Sequence, residues 1–270
     1  MQIRHIDIHS HLNLSPLLET QNEVMERMKE KEVATITVGT GIETSKIAID
    51  LAKNHPEVIL AATVGIHPNH LPDSASLWQA GEESWSEDLE EMAKHPKVVA
   101  IGECGLDYFR NESEESKVRQ KDIFLKHIEL ATKVGRPLMI HSRPSKGSMD
   151  AYEEVLDILE GVDVRANFHF FVGNVDVAKR ALAGGHTMSF DGPITFSGDY
   201  DEVIRFLPLE SIMAETDAPY AAPVPHRGKV CEPWMVDEVY KAIARIKGLD
   251  EEIVRTTLVA NAKRFFRLDF

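Results

Sequence analysis

Eight short runs rich in β-branched and apolar residues recur along the 270-residue chain, near positions 3–9, 33–38, 58–66, 97–103, 137–141, 164–170, 186–190 and 211–216. Segments with helical patterning separate them, around 19–31, 44–54, 84–95, 113–134, 148–160, 174–184, 199–207, 232–247 and 250–262. Parallel neighbours need a crossover connection, and a helix supplies it, so this alternation implies a parallel sheet. Eight such units favour closure over an open doubly wound sheet. The expected fold class is α/β, a (β/α)8 TIM barrel, and the length suits a single domain over 1–270. The longest helical segment places Val118, Phe124, Ile128, Ala131 and Val134 at helical spacing, and Gly135-Arg136-Pro137 ends it.

Composition narrows the setting. No stretch of about eighteen apolar residues occurs, so no transmembrane helix and no membrane association are expected. The opening MQIRHIDIHSH enters a strand at once, so no signal peptide is expected. Two cysteines, Cys104 and Cys231, make no disulfide framework; a cytoplasmic, reducing setting fits them. The net charge of −14 argues against broad contact with duplex nucleic acid, which is gripped through its phosphates. It is compatible with a phosphate substrate, because bound divalent cations reverse the charge of a site locally. No obligate protein partner is evident.

Seven potential metal ligands stand where strands run out. His9 and His11 end IRHIDIHSH, His67 ends VILAATVGIH and Glu103 ends KVVAIGE; His141 ends PLMIH, His169 ends RANFH and Asp217 ends SIMAETD. In a (β/α)8 barrel all strand C-termini meet on one face, where such enzymes keep their active sites. Two-residue alternation points His9 and His11 the same way, into the barrel mouth. Of the residues sharing that parity, His5 is read as a hydrogen-bonded core histidine. Asp7 is either a partner orienting a ligand histidine or a buried structural acid.

Burying Glu103 as an anion costs several kcal/mol unless it is paired or bound to metal, and a carboxylate can give one oxygen to each of two ions. Asp217 faces the same argument, as a ligand, as the group that takes a proton from water, or as both. Imidazole and carboxylate donors without clustered thiolates suit Zn²⁺, Mn²⁺, Co²⁺ or Mg²⁺. Cys104 is turned away from Glu103 by strand alternation and is read as packing. Arg110, Arg143, Arg227 and Lys229 are candidates for substrate phosphate, the last two equally well as surface charges, and His67 could contact substrate.

At these residues the chain resembles the TatD-type metal-dependent hydrolases, often described as deoxyribonucleases. The matching pieces are IDIHSHLN, VGIHPN, IGECGLDYFRN, PLMIHSR, NFHFFVGN and ETDAPY, with the RGK of HRGKVCEP and the closing ANAKRFF. The resemblance covers nearly the whole chain and implies a barrel of the amidohydrolase superfamily with one or two divalent ions. Carried over motif by motif, His9, His11 and Asp217 hold one ion, His141 and His169 the other, and Glu103 bridges them. His67, Arg110 and Arg143 would then sit by the substrate. Two departures stand out: His169-Phe170-Phe171 replaces His-Cys-Phe, and Cys231 replaces an Asn in the loop over the site.

The expected activity is hydrolysis through a metal-activated water, as in a 3′–5′ exodeoxyribonuclease-type phosphodiesterase acting on DNA ends. Asp217 would take the proton, and Glu103 would hold the centre together. The alternatives are a metal-dependent hydrolase of a carboxylic ester or amide, such as an aminoacyl ester or a lactone, and a non-catalytic metal-binding scaffold.

Overall fold

In the computed structural model, which describes residues 2–71 and 85–270, eight parallel strands lie side by side in chain order. They are β1 (His5–Ser10), β2 (Val33–Val38), β3 (Ile59–Val64), β4 (Val98–Asp107), β5 (Leu138–Arg143), β6 (Ala166–Phe168), β7 (Thr187–Phe190) and β8 (Ile212–Ala214). The helices are α1 (Gln21–Glu30), α2 (Ile42–Asn54), α3 (helical residues 85–93), α4 (Glu114–Val134), α5 (Asp150–Leu159), α6 (Val175–Ala183), α7 (Asp201–Phe206), α8 (Val236–Lys247) and α9 (Glu251–Phe266). This is the (β/α)8 TIM barrel expected from the alternation. Residue 84, the start of the segment expected to be helical over 84–95, lies outside the described residues. Among the described residues no helix is long and apolar enough to cross a membrane.

The barrel closes where β8 returns to β1. Ser10 and Ala218 form a parallel bridge, the Asp217 amide donates to the His9 carbonyl at 2.9 Å, and the His11 amide donates to Ala218 at 2.7 Å. Asp7 stitches the same seam from inside. Its Oδ1 accepts from the amides of His9 (3.1 Å) and Thr216 (3.0 Å), and its Oδ2 accepts from the Thr216 hydroxyl (2.6 Å). Those partners make Asp7 a structural acid rather than a clamp on an imidazole. His5 sits at the opposite end of β1, edge-on to the buried Tyr240 ring and 3.6 Å from the partly exposed Asp237 carboxylate, so it packs on the core at one side and meets the surface at the other.

Between sheet and helices lies the larger apolar cluster, and it includes Cys104, as strand alternation requires. A smaller cluster joins strand residues such as Ile8, Ile36 and Met139 to Phe265 and Phe266 of α9. Helix α4 departs from the expected apolar stripe. Val118 is 56% exposed, and the buried face runs through Gln120, Ile123, Phe124, His127, Ile128 and Ala131. Phe124, Ile128 and Ala131 are buried as expected, but hydrophobic spacing missed Gln120 and His127, which are polar and bond to backbone. Gln120 brackets the peptide of Asp107, accepting from its amide (2.7 Å) and donating to its carbonyl (3.1 Å). His127 accepts from the Ile66 amide through Nε2 (3.0 Å) and donates through Nδ1 to the Ile123 carbonyl (2.7 Å).

The expected end of β4 at Glu103 is also corrected. The strand continues to Asp107, so the loop begins later than expected and Glu103 lies within the strand. Pairing with β5 slips by one residue between Ile101↔Leu138 and Cys104↔Ile140, then continues to Asp107↔Arg143. This bulge rests on two glycines with left-handed φ, Gly102 (148°) and Gly105 (133°). A Cβ on Gly102 would meet the Met139 carbonyl oxygen at 2.3 Å, and one on Gly105 would meet that of His141 at 2.1 Å. Backbone therefore approaches backbone on either side of Glu103.

Two outcomes are expected. Gly105→Ala should cost at least about 3 kcal/mol in urea unfolding, combining a disallowed φ with a backbone clash; a loss below 1 kcal/mol would show that β4 relaxes freely. Burial lowers the His127 pKa from 6.5 to about 4. The unfolded chain then binds the extra proton first, so this share of stability is complete above pH 6.5 and is lost as pH falls towards 4. In metal-free protein the His127 share should be roughly 3 kcal/mol by pH 4. His127→Gln should flatten the stability–pH curve over that window, and parallel curves for both proteins would disprove the assignment.

Candidate metal centre

All seven expected ligands reach the same face. His9 and His141 lie near the C-terminal ends of β1 and β5, and His11 and His169 stand one residue past β1 and β6. His67 and Asp217 stand three residues past β3 and β8, and Glu103 projects from the β4 bulge. The two oxygens of Glu103 face different partners. Oε2 lies 3.5 Å from His9 Nε2 and 3.7 Å from His11 Nε2, and both nitrogens lie within 3.7 Å of Asp217 Oδ1. Oε1 lies 2.9 Å from His169 Nε2, 3.0 Å from His141 Nδ1 and 3.2 Å from His67 Nε2.

These separations suit metal binding. Donors held about 2.0–2.2 Å from one divalent ion lie roughly 3.0–3.5 Å apart in octahedral or tetrahedral arrangement. His9, His11 and Glu103 could hold one ion with Asp217, and Glu103 with His141 and His169 or His67 could hold a second. The site thus brings together every expected ligand, and it brings His67 as close to Glu103 as the histidines expected to bind metal.

Electrostatics prepares the same groups. Burial opposes charge on Glu103, but the surrounding imidazoles outweigh it and hold the carboxyl well below the usual range. Asp217 is likewise disfavoured as an anion by burial, yet its hydrogen bond with His11 keeps its pKa below normal. Burial lowers His9, and it brings His67 to about 4, leaving both imidazoles neutral; His67 Nδ1 accepts from the Asn69 amide (3.0 Å), which puts its proton on Nε2, the nitrogen facing Glu103. For His169 burial is overcome by the Glu103 charge, which raises its pKa well above normal. Two adjoining residues adopt left-handed φ, Phe170 (45°) and Asp217 (53°), and Asp tolerates this region better than most side chains.

The centre forms the floor of a cavity of about 810 Å³ whose walls include Arg110, Arg143, Lys146, Phe109 and Tyr220. The Arg143 guanidinium stacks 4.3 Å from the Phe109 ring. Arg227 stacks on Phe196 instead, and neither it nor Lys229 is among the residues lining the cavity, which favours the surface-charge reading of both. Cys231 is buried with its Sγ 4.0 Å from the Thr216 carbonyl and is not among the residues lining the cavity. Phe170, the other departure, does line the cavity.

Sequence reasoning missed Asp107, which bonds His141, and Glu215, whose carboxylate accepts from the Phe170 amide (2.5 Å) and the Ser189 hydroxyl (2.6 Å). Both stand inside quoted motifs, GLDY and ETD. Glu215 is fully buried 3.5 Å from His169 Nδ1. Its position two residues before Asp217 was the available signal.

The model of the family described as TatD related DNase matches residues 6–267. The chain belongs to that family. Among curated relatives, the Bacillus subtilis protein named "Uncharacterized metal-dependent hydrolase YabD" is 35% identical, over 97% of this chain and 99% of its own. The Escherichia coli protein named "Uncharacterized metal-dependent hydrolase YcfH" is 31% identical over 98% and 96%. In fold, the chain matches the crystal structure of YjjV, a TatD homolog from Escherichia coli, with TM-score 0.86 and 24% identity over the full length of both. The organophosphorus hydrolase of Deinococcus radiodurans shares the fold at TM-score 0.63 and 12% identity, over 98% of this chain and 93% of its own. This TatD family member is a metal-dependent hydrolase whose His and Glu clusters could hold the metal.

The two-sided placement of Glu103 gives a direct expectation. Glu103→Ala should lower affinity at both metal positions more than about 100-fold, because loss of a ligand exceeds the 10–100-fold effect of losing a partner behind one. Elemental analysis after gel filtration reads this out; normal metal content in a folded variant would refute the bridge.

Proposed function

We propose that this TatD protein is a phosphodiesterase that removes nucleotides from single-stranded or frayed DNA ends in the 3′–5′ direction. The observation that carries the reading is the division of Glu103, with one oxygen facing His9 and His11 and the other facing His141 and His169. A pair of divalent ions bound there would supply an activated water and neutralise charge on the phosphoryl oxygens.

The protein's own residues supply the rest. Asp217 is held ionised beside His11, so its carboxylate is free to accept the proton lost by attacking water. Arg110, Arg143 and Lys146 place cations around the cavity of a chain whose net charge is −14. An arginine fork can hold the phosphate and stabilise charge as it develops. Phe109 and Tyr220 are about half exposed at the mouth and offer faces on which bases can stack. A cavity of about 810 Å³ takes one or two nucleotides more readily than a duplex, and the acidic surface disfavours long backbone contact.

The test is cleavage of a 3′- or 5′-labelled single-stranded oligonucleotide by chelator-treated protein re-supplied with Mg²⁺, Mn²⁺ or Zn²⁺. Stepwise shortening from the 3′ end is expected, with kcat lowered about 10²–10⁴-fold in Asp217→Asn. Absence of cleavage with every metal, beside turnover of an aminoacyl ester or lactone, would replace this reading with the ester one.

A further inference from the structure

Five histidines surround Glu103, and four of them turn Nε2 towards its carboxylate: His9, His11, His67 and His169. Among the described residues His141 alone turns Nδ1 inward, at 3.0 Å from Glu103 Oε1 and 3.2 Å from His169 Nε2. Its Nε2 points the other way, 3.2 Å from Asp107 Oδ2. Asp107 is fully buried. Oδ2 also accepts from Asn69 Nδ2 (2.7 Å), and Oδ1 accepts from the Arg110 amide (2.9 Å). Asn69 in turn accepts from Asn111 Nδ2 (2.6 Å), and Gln120 brackets the Asp107 peptide on both sides.

We propose that Asp107, held by Asn69 and Gln120, is a positioning residue that sets the affinity of the metal ion on the Oε1 side of Glu103. A carboxylate can only accept, so Asp107 keeps a proton on Nε2 of His141, and Nδ1, which faces Glu103 Oε1, is the nitrogen left to bind an ion. The ring is thereby fixed in angle, with Nδ1 turned inward, before any ion arrives. His169, a second imidazole on that side, has a looser carboxylate partner: its Nδ1 lies 3.5 Å from Glu215 Oε1. The chain Asn111–Asn69–Asp107–His141 therefore ties loops after β3 and β4 to one metal position. The other position, built on His9, His11 and Asp217, has no member in it.

This inference rests on the metal centre and not on the nature of the substrate, and its test reads metal binding. Chelator-treated protein is titrated with Zn²⁺ and Co²⁺ by calorimetry, alongside Asp107→Asn and Asn69→Ala. Wild type is expected to take two ions. Asp107→Asn should weaken one of them 10–100-fold, leave the other within about threefold, and alter the visible spectrum of Co²⁺ at the weakened position only. Asn69→Ala should act in the same direction with a smaller loss, which keeps the idea testable if the buried substitution impairs folding. Equal weakening of both positions, no weakening of either, or uptake of a single ion by wild type would overturn it. Oligonucleotide cleavage does not enter these outcomes, so an inactive phosphodiesterase with selective metal loss would sink the substrate reading alone.

Discussion

A carboxylate ionised at the base of a barrel mouth is the constraint from which the rest follows. Glu103 is almost completely buried, and such a charge is tolerated only when its neighbours compensate for lost water. Five imidazoles do so from four other strands or their ends. Each must be brought within hydrogen-bonding reach by its own strand, which requires all those strand ends to share one rim. A barrel provides that shared rim, and an open sheet would disperse the same residues along an edge.

How Glu103 gets there is a matter of backbone room. The bulge in β4 depends on glycines at 102 and 105, where neighbouring carbonyls leave no space for a Cβ. One residue of slippage turns the carboxylate into the mouth, lets the strand run on to Asp107 and carries that residue beside His141. The candidate ligand Glu103 and the group behind the candidate ligand His141 are thus products of one local distortion.

Much of this was legible in the sequence. The eight strands, their helices and the convergence of His9, His11, Glu103, His141, His169 and Asp217 follow from alternation and from where apolar runs stop, and both signals are local. The extension of β4 was not legible, because it depends on how β5 pairs with it across the bulge. For the same reason Asp107 and Asn69 passed unnoticed: their roles arise from contacts 34 and 38 residues apart in sequence. The α4 register was misread at Val118 because Gln120 and His127 face inward to satisfy backbone groups, which hydrophobic spacing does not register. Cys231 was placed over the site by motif position, while tertiary packing buries it away from the cavity wall.

The seam between β1 and β8 has a consequence for how the protein comes into being. His9 and His11 emerge from the ribosome early, yet Asp217, which completes their set, follows more than two hundred residues later. The same stretch carries the amide and hydroxyl of Thr216 that engage Asp7, so ring closure and ligand completion are one event in the life of the nascent chain. Until then the two histidines form only part of the candidate set. That set is complete only after the barrel has closed, so an ion held by all of it would be one taken up by the folded chain.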